Sequence, residues 1–137
     1  MRIILSILVI IPTYVCATTV MPEAIELDQN LAQELGITIY EEKKGCGLDS
    51  SWLEITFPIE FQRAKRPSVF LSIFNQDKML VGANLPILKD AEPEGISKAF
   101  ACIHPSVFDE TELVISYSKG EHVTNELKIK NIENYFN

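Results

Sequence analysis

Apolar residues occupy every second position from Leu53 through Ile55, Phe57 and Ile59 to Phe61, with Glu54, Thr56, Pro58 and Glu60 between them. Successive side chains of an extended chain point to opposite faces, so this alternation predicts a strand over 52–61 with its apolar face in a core and Glu54, Thr56 and Glu60 toward water. A slip of one residue would bury two carboxylates, which sets the register strongly. Pro58 cannot donate to a ladder and implies an edge or a bulge there. The same period appears at Ile37 and Ile39 against Thr38 and Tyr40, over 97–104, and over 112–118, where Leu113, Ile115 and Tyr117 share a face. Ser68 to Phe74 is apolar on both faces and reads as a central strand; a turn at 75–78 then predicts a returning strand from Met79 to Ala83. The last segment, 123–131, alternates at Lys128-Ile129-Lys130 and is read as a strand with Val123, Leu127 and Ile129 on one face, over a helical reading through Val123, Leu127 and Tyr135.

Helical spacing appears near the start, where Leu27, Leu31 and Leu35 recur at i, i+4 and i+8. Asp28 is placed to cap a short helix beginning at Gln29, and Gly36 to end it in the left-handed region. Alternation of Ile25 and Leu27 with Glu26 and Asp28 offers an edge strand over 24–28 instead, with one or two helical turns left at 29–35. The longest irregular stretch is 84–95, rich in Pro, Asp and Glu, and Pro105 to Thr111 makes a second loop. Six or seven short strands, separated by turns and without βαβ alternation, predict a mainly all-β antiparallel sandwich or barrel with a short N-terminal helical turn.

The first 17 residues do not belong to that pattern. Arg2 precedes an apolar run from Ile3 to Ile11 broken only by Ser6, and Val15-Cys16-Ala17 follows Pro12 with the residue types a signal peptidase reads. A spanning helix needs about 20 apolar residues, twice this run, so residues 1–17 read as a cleaved signal peptide rather than an anchor. Val15 is bulky for the position before a lipid-modified Cys16. Cleavage leaves 18–137 as a single domain without a membrane span, secreted or periplasmic, carrying 11 basic and 19 acidic residues for a formal charge of −8. That balance argues against nucleic acid and anionic membranes, and an acidic surface could steer a basic partner.

Cleavage also leaves two cysteines, Cys46 and Cys102, whose simplest state in an oxidising compartment is a disulfide. Trp52 beside this pair invites comparison with immunoglobulin domains, in which a Trp packs on an inter-sheet disulfide. The chain resembles them in architecture alone. Trp52 follows Cys46 by only six residues, Cys46 lies between two glycines, and Phe100 stands where a tyrosine is expected two residues before Cys102. The implied fold is a sandwich that is immunoglobulin-like only in the loose sense.

Candidate chemistry is sparse. His104 and His122 lie on separate segments with no nucleophile motif nearby. Cys102 and His104 have a spacing a metal could use, but two ligands do not make a site and a disulfide consumes the thiolate. Met21 and Met79 are isolated, which gives a soft copper site no support. Glu54 and Glu60 share a strand face about 20 Å apart, too far for paired acid–base work. No cofactor motif is present. Surface remains: the 84–95 loop mixes Leu85, Ile87 and Leu88 with Asp90, Glu92 and Glu94, and long loops on rigid β scaffolds often carry binding. Tucking those apolar residues onto the core competes with that role. The expected function is that of a non-enzymatic protein-binding domain of the cell envelope, with an unidentified protein partner, basic if the acidic surface steers it. The alternatives are a small-ligand or metal-binding periplasmic protein, or an acidic inhibitor or immunity protein against a basic enzyme.

Overall fold

In a computed structural model, which describes residues 21–91 and 93–137, the alternating segments become strands of two sheets. In chain order the elements are β1 (Glu23–Glu26), α1 (Gln29–Glu34), β2 (Thr38–Lys43), β3 (Ser51–Pro58), β4 (Lys65–Asn75), β5 (Lys78–Asn84), β6 (Ile87–Ala91), β7 (Ile96–Ile103), β8 (Thr111–Lys119) and β9 (His122–Lys130). A five-stranded sheet has the order β1-β9-β8-β4-β5 and a four-stranded sheet the order β2-β3-β7-β6. The architecture is mainly β and sandwich-like. The signal-peptide segment 1–17 lies outside the described residues.

One core joins the inner faces of both sheets. Leu53, Ile55 and Phe57 of β3, Leu113, Ile115 and Tyr117 of β8, and Leu127 and Ile129 of β9 have no exposed surface. The alternation at Leu53–Phe57 therefore reports the core face correctly, and Ile37 and Ile39 are buried as their spacing requires. The short helix is also as expected: Asp28 accepts a hydrogen bond from the Leu31 N–H at 2.8 Å, and Gly36 follows at φ 68°. Ala32 is buried, while Leu31 and Leu35 pack half-buried at the core's margin.

Five expectations need correction. The described residues form nine strands, not six or seven, because 87–91 pairs and 23–26 takes up the edge strand that the alternation over 24–28 offered. β1 runs parallel to β9, while every other pair is antiparallel. Residues 84–95 are not irregular throughout, since β6 hydrogen-bonds along β7 through Ile87–Ala99 and Leu88–Lys98, and that pairing outweighs a loop-like composition. β3 lies between β2 and β7 over most of its length, but β2 pairs only as far as Thr56, so Pro58, the last residue of β3, has β7 alone beside it, an edge position of the kind its missing N–H implies. Ile59 and Phe61 are then only half-buried, with Phe61 tilted against Tyr117 at a centroid distance of 5.7 Å. Finally, a register shift between Tyr117 and Ser118 moves Val123 opposite Ser118 and brings Asn125, not Val123, onto the buried face with Leu127 and Ile129.

Candidate functional site

The sandwich closes with β5 and β6 as edge strands of opposite sheets, joined through the two residues Leu85 and Pro86. Sequence reasoning placed a binding loop here. Leu85 and Ile87 are half-buried against the core, as burial of apolar surface favours, whereas Leu88 is 54% exposed. Glu94 is exposed; the side chains of Asp90 and Glu92 lie outside the described residues. The structure adds residues the sequence did not single out. All seven residues of β5 are exposed, and Met79, Leu80 and Val81 present about half of their surface to water. The run Met79-Leu80-Val81 looks like any buried strand in sequence, because its position at an edge depends on where β4 finds its other partner.

The outer side of β5 is shaped by Gly82. A Cβ at that position would come within 2.8 Å of Phe70 Cζ and 3.0 Å of Met79 Sδ, so the Phe70 ring lies over a bare stretch of backbone. The backbone polarity of the edge follows from its neighbours. Leu85 N–H donates to Val69 C=O at 2.8 Å, which makes 69/85 a hydrogen-bonded pair and, by alternation, 71/83 as well. The N–H and C=O groups of Gly82 and Asn84 therefore point away from β4, into solvent.

A second feature lies where the loop 44–50, the 104–110 loop and the C-terminal residues meet. It is an open groove of about 610 Å³ with Phe108, Phe136, Leu48 and Pro105 as its apolar lining and Glu41, Lys43, Lys44, Asp49, His104 and Glu133 around it. The Cys46–Cys102 disulfide, Cα–Cα 6.0 Å, fastens the first of these loops to β7. Gly45 permits the close seat beside it, since a Cβ there would meet Trp52 Cβ at 2.8 Å and the Glu42 carbonyl at 3.0 Å. Trp52 stacks on Phe100 at 5.6 Å on the outer face of the four-stranded sheet. Both cysteines thus belong to one sheet and its own loop, and the bridge does not cross the core as an immunoglobulin disulfide does.

The other candidates are not brought together. His104 caps the 3-10 turn at 105–107, its Nδ1 accepting from the Ser106 N–H at 3.2 Å. Cys102 is committed to Cys46, and no group of three or more His, Cys, Asp or Glu side chains suited to a metal occurs among the described residues. Glu54 is bonded to Lys98 and Glu60 pairs with Lys65 at 3.4 Å, so the two carboxylates serve separate ion pairs. Among the described residues, no helix is long and apolar enough to cross a membrane. Comparison with known proteins returns no matching family, no curated relative and no solved structure.

Proposed function

We propose that this chain is a non-enzymatic protein-binding domain of the cell envelope that recognises its partner along the β5–β6 side. The observation that carries the reading is a concentration of apolar surface: of the seven exposed large hydrophobic residues described, Met79, Leu80, Val81 and Leu88 fall within ten positions. Scattered exposed apolar residues need no explanation, but grouped ones mark interaction surfaces. The loose immunoglobulin likeness belongs to the same proposal, as a two-sheet scaffold that holds an edge and its loops rigid. Export to the periplasm or beyond is supported by the disulfide, which persists in oxidising compartments.

Immobilised protein, challenged with an envelope fraction at mild salt, provides the test. A captured protein whose binding is lost on Leu88→Asp, with folding intact, supports the reading. Reversal of Asp90, Glu92 and Glu94 to Lys is expected to slow association of a basic partner, because a negative surface steers such a partner from beyond contact. A captured species that proves to be a metal or a small molecule overturns it. The end groove is the observation that favours the small-ligand alternative, since its volume suits one. Its openness counts the other way, because small-ligand sites enclose most of their ligand.

A further inference from the structure

We propose that the partner of the β5 edge is a second copy of this chain, paired antiparallel about a two-fold axis through Gly82, so that two five-stranded sheets become one. This rests on the reading that the β5 side is an interface, and it names the occupant.

Three observations select a second copy. The first is charge. The other edge strands all contain charged residues in sequence, Glu23 and Glu26 in β1, Glu41, Glu42 and Lys43 in β2, and Lys89 and Asp90 in β6. β5 has Lys78 at its start and then no charged residue until Lys89. In a chain with 19 acidic and 12 basic residues, an uncharged edge offers a basic partner nothing to attract it. It offers another uncharged edge no repulsion.

The second observation is backbone register. Gly82 and Asn84 direct their N–H and C=O groups outward, so Gly82 of each copy can exchange two hydrogen bonds with Gly82 of the other. The same register sets Val81 against Ala83 of the other copy, and the bulge at Leu80, where β5 steps from Val81 opposite Ile73 to Met79 opposite Phe74, ends the regular pairing there, with no charged residue opposite another. The third is the surface at the axis. Gly82 has no side chain to obstruct the joint, and the Phe70 ring already reaches over it, so two Phe70 rings approach each other across the outer face of the joined sheet. Val81, half-exposed in the single chain, is covered.

Sedimentation across a concentration series tests the pairing. The mature chain is expected to double in mass as concentration rises, and Val81→Lys to remain a single chain with an unchanged circular dichroism spectrum. Salt gives a sign that separates the occupants. Two copies that each carry a net negative charge repel at long range, so the dimer fraction rises when the Debye length is cut from about 30 Å at 0.01 M to about 3 Å at 1 M, whereas capture of a basic partner weakens. Register is tested by mixing Val81→Cys with Ala83→Cys under mild oxidation. The facing, non-hydrogen-bonded pair is expected to give a covalent heterodimer, while either variant alone gives none. A chain that stays single at every concentration and salt overturns the second copy, as does a dimer that fails to cross-link. If such a chain nevertheless loses a captured envelope protein on Val81→Lys, the interface reading stands with a different partner. If Val81→Lys changes neither mass nor capture, both fall.

Discussion

Tyr117 shows what one residue does across this sandwich. Its position on the inner face was legible from the alternation Leu113, Ile115, Tyr117, but its partner was not: the hydroxyl donates to the Pro58 carbonyl at 2.8 Å, from β8 in one sheet to the end of β3 in the other. Burial pushes the phenol far above its ordinary range, because the ionised form would lose its hydration there. A pKa raised on folding gives stability that is complete below the unfolded value near 10 and is lost as pH climbs above it, since only the unfolded chain releases the proton. The loss approaches about 1.4 kcal/mol per pH unit for such a group. Tyr135, whose hydroxyl donates to the Leu27 carbonyl, is shifted the same way by burial and then by the charge of Asp28, and it adds a smaller share. Tyr117→Phe is expected to cost about 1–2 kcal/mol at neutral pH, through the lost hydrogen bond. It should also flatten the alkaline fall in stability without abolishing it. Urea titrations between neutral pH and pH 11 measure both effects; an unchanged alkaline slope would assign the fall to other groups.

Elements were legible in proportion to how far their signal is local. β3 and β8 announce their inner faces by period, and α1 by its cap and its leucines, because a one-sided environment acts on each segment separately. β1 is four residues, Glu-Ala-Ile-Glu, and exists because β9 lies beside it; its Glu26 is held below the usual carboxylate range by a hydrogen bond and charge from Lys130 of that strand. β6 likewise exists through β7. The pairing of β6 leaves no trace in its own sequence, whereas the alternation of Ile25 and Leu27 with Glu26 and Asp28 had offered β1 as an edge strand over 24–28. The bulge that turns Val123 off the core face is a second such case; beside it the buried Asn125 amide donates to the Gln62 side-chain oxygen at 2.7 Å. The local signal at β3 supports a quantitative expectation. Phe57→Ala, at a fully buried position one residue before the end of β3, should cost about 3–5 kcal/mol through lost transfer energy and a residual cavity. Phe61→Ala, beyond the strand's end and half-buried, should cost less. Denaturant midpoints at constant m-value rank the two, and an equal loss at both positions would show that Phe61 is as much a core residue as Phe57.

For the whole molecule, the disulfide is the constraint that sequence reasoning could name and the proposed binding surface the one it could not localise in full. Two cysteines pair by count and compartment alone. By contrast, β5 becomes an edge, and the end groove gains Leu48, Phe108 and Phe136, only after distant segments have assembled. The position of the bridge then fixes how it stabilises. Cys46 and Cys102 are 56 residues apart, and the chain between them includes β3 through β6, drawn from both sheets. Closing that loop removes entropy from the unfolded chain worth about 4 kcal/mol in the chain-entropy model, a large part of a typical total of about 5–15 kcal/mol. In the folded state the bridge lies on the outer side of one sheet, with Cys102 exposed and neither cysteine part of the core cluster. Replacing both cysteines by Ala should therefore lower the unfolding free energy by roughly 2–5 kcal/mol while leaving the native spectrum unchanged, and unfolded, unreduced wild-type protein should contain no free thiol among Cys46 and Cys102. A loss near zero would mean that the unfolded chain is already held compact without the bridge. A loss accompanied by an altered native spectrum would place the bridge's effect in the folded sheet, through release of the Gly45–Trp52 contact, rather than in the unfolded chain.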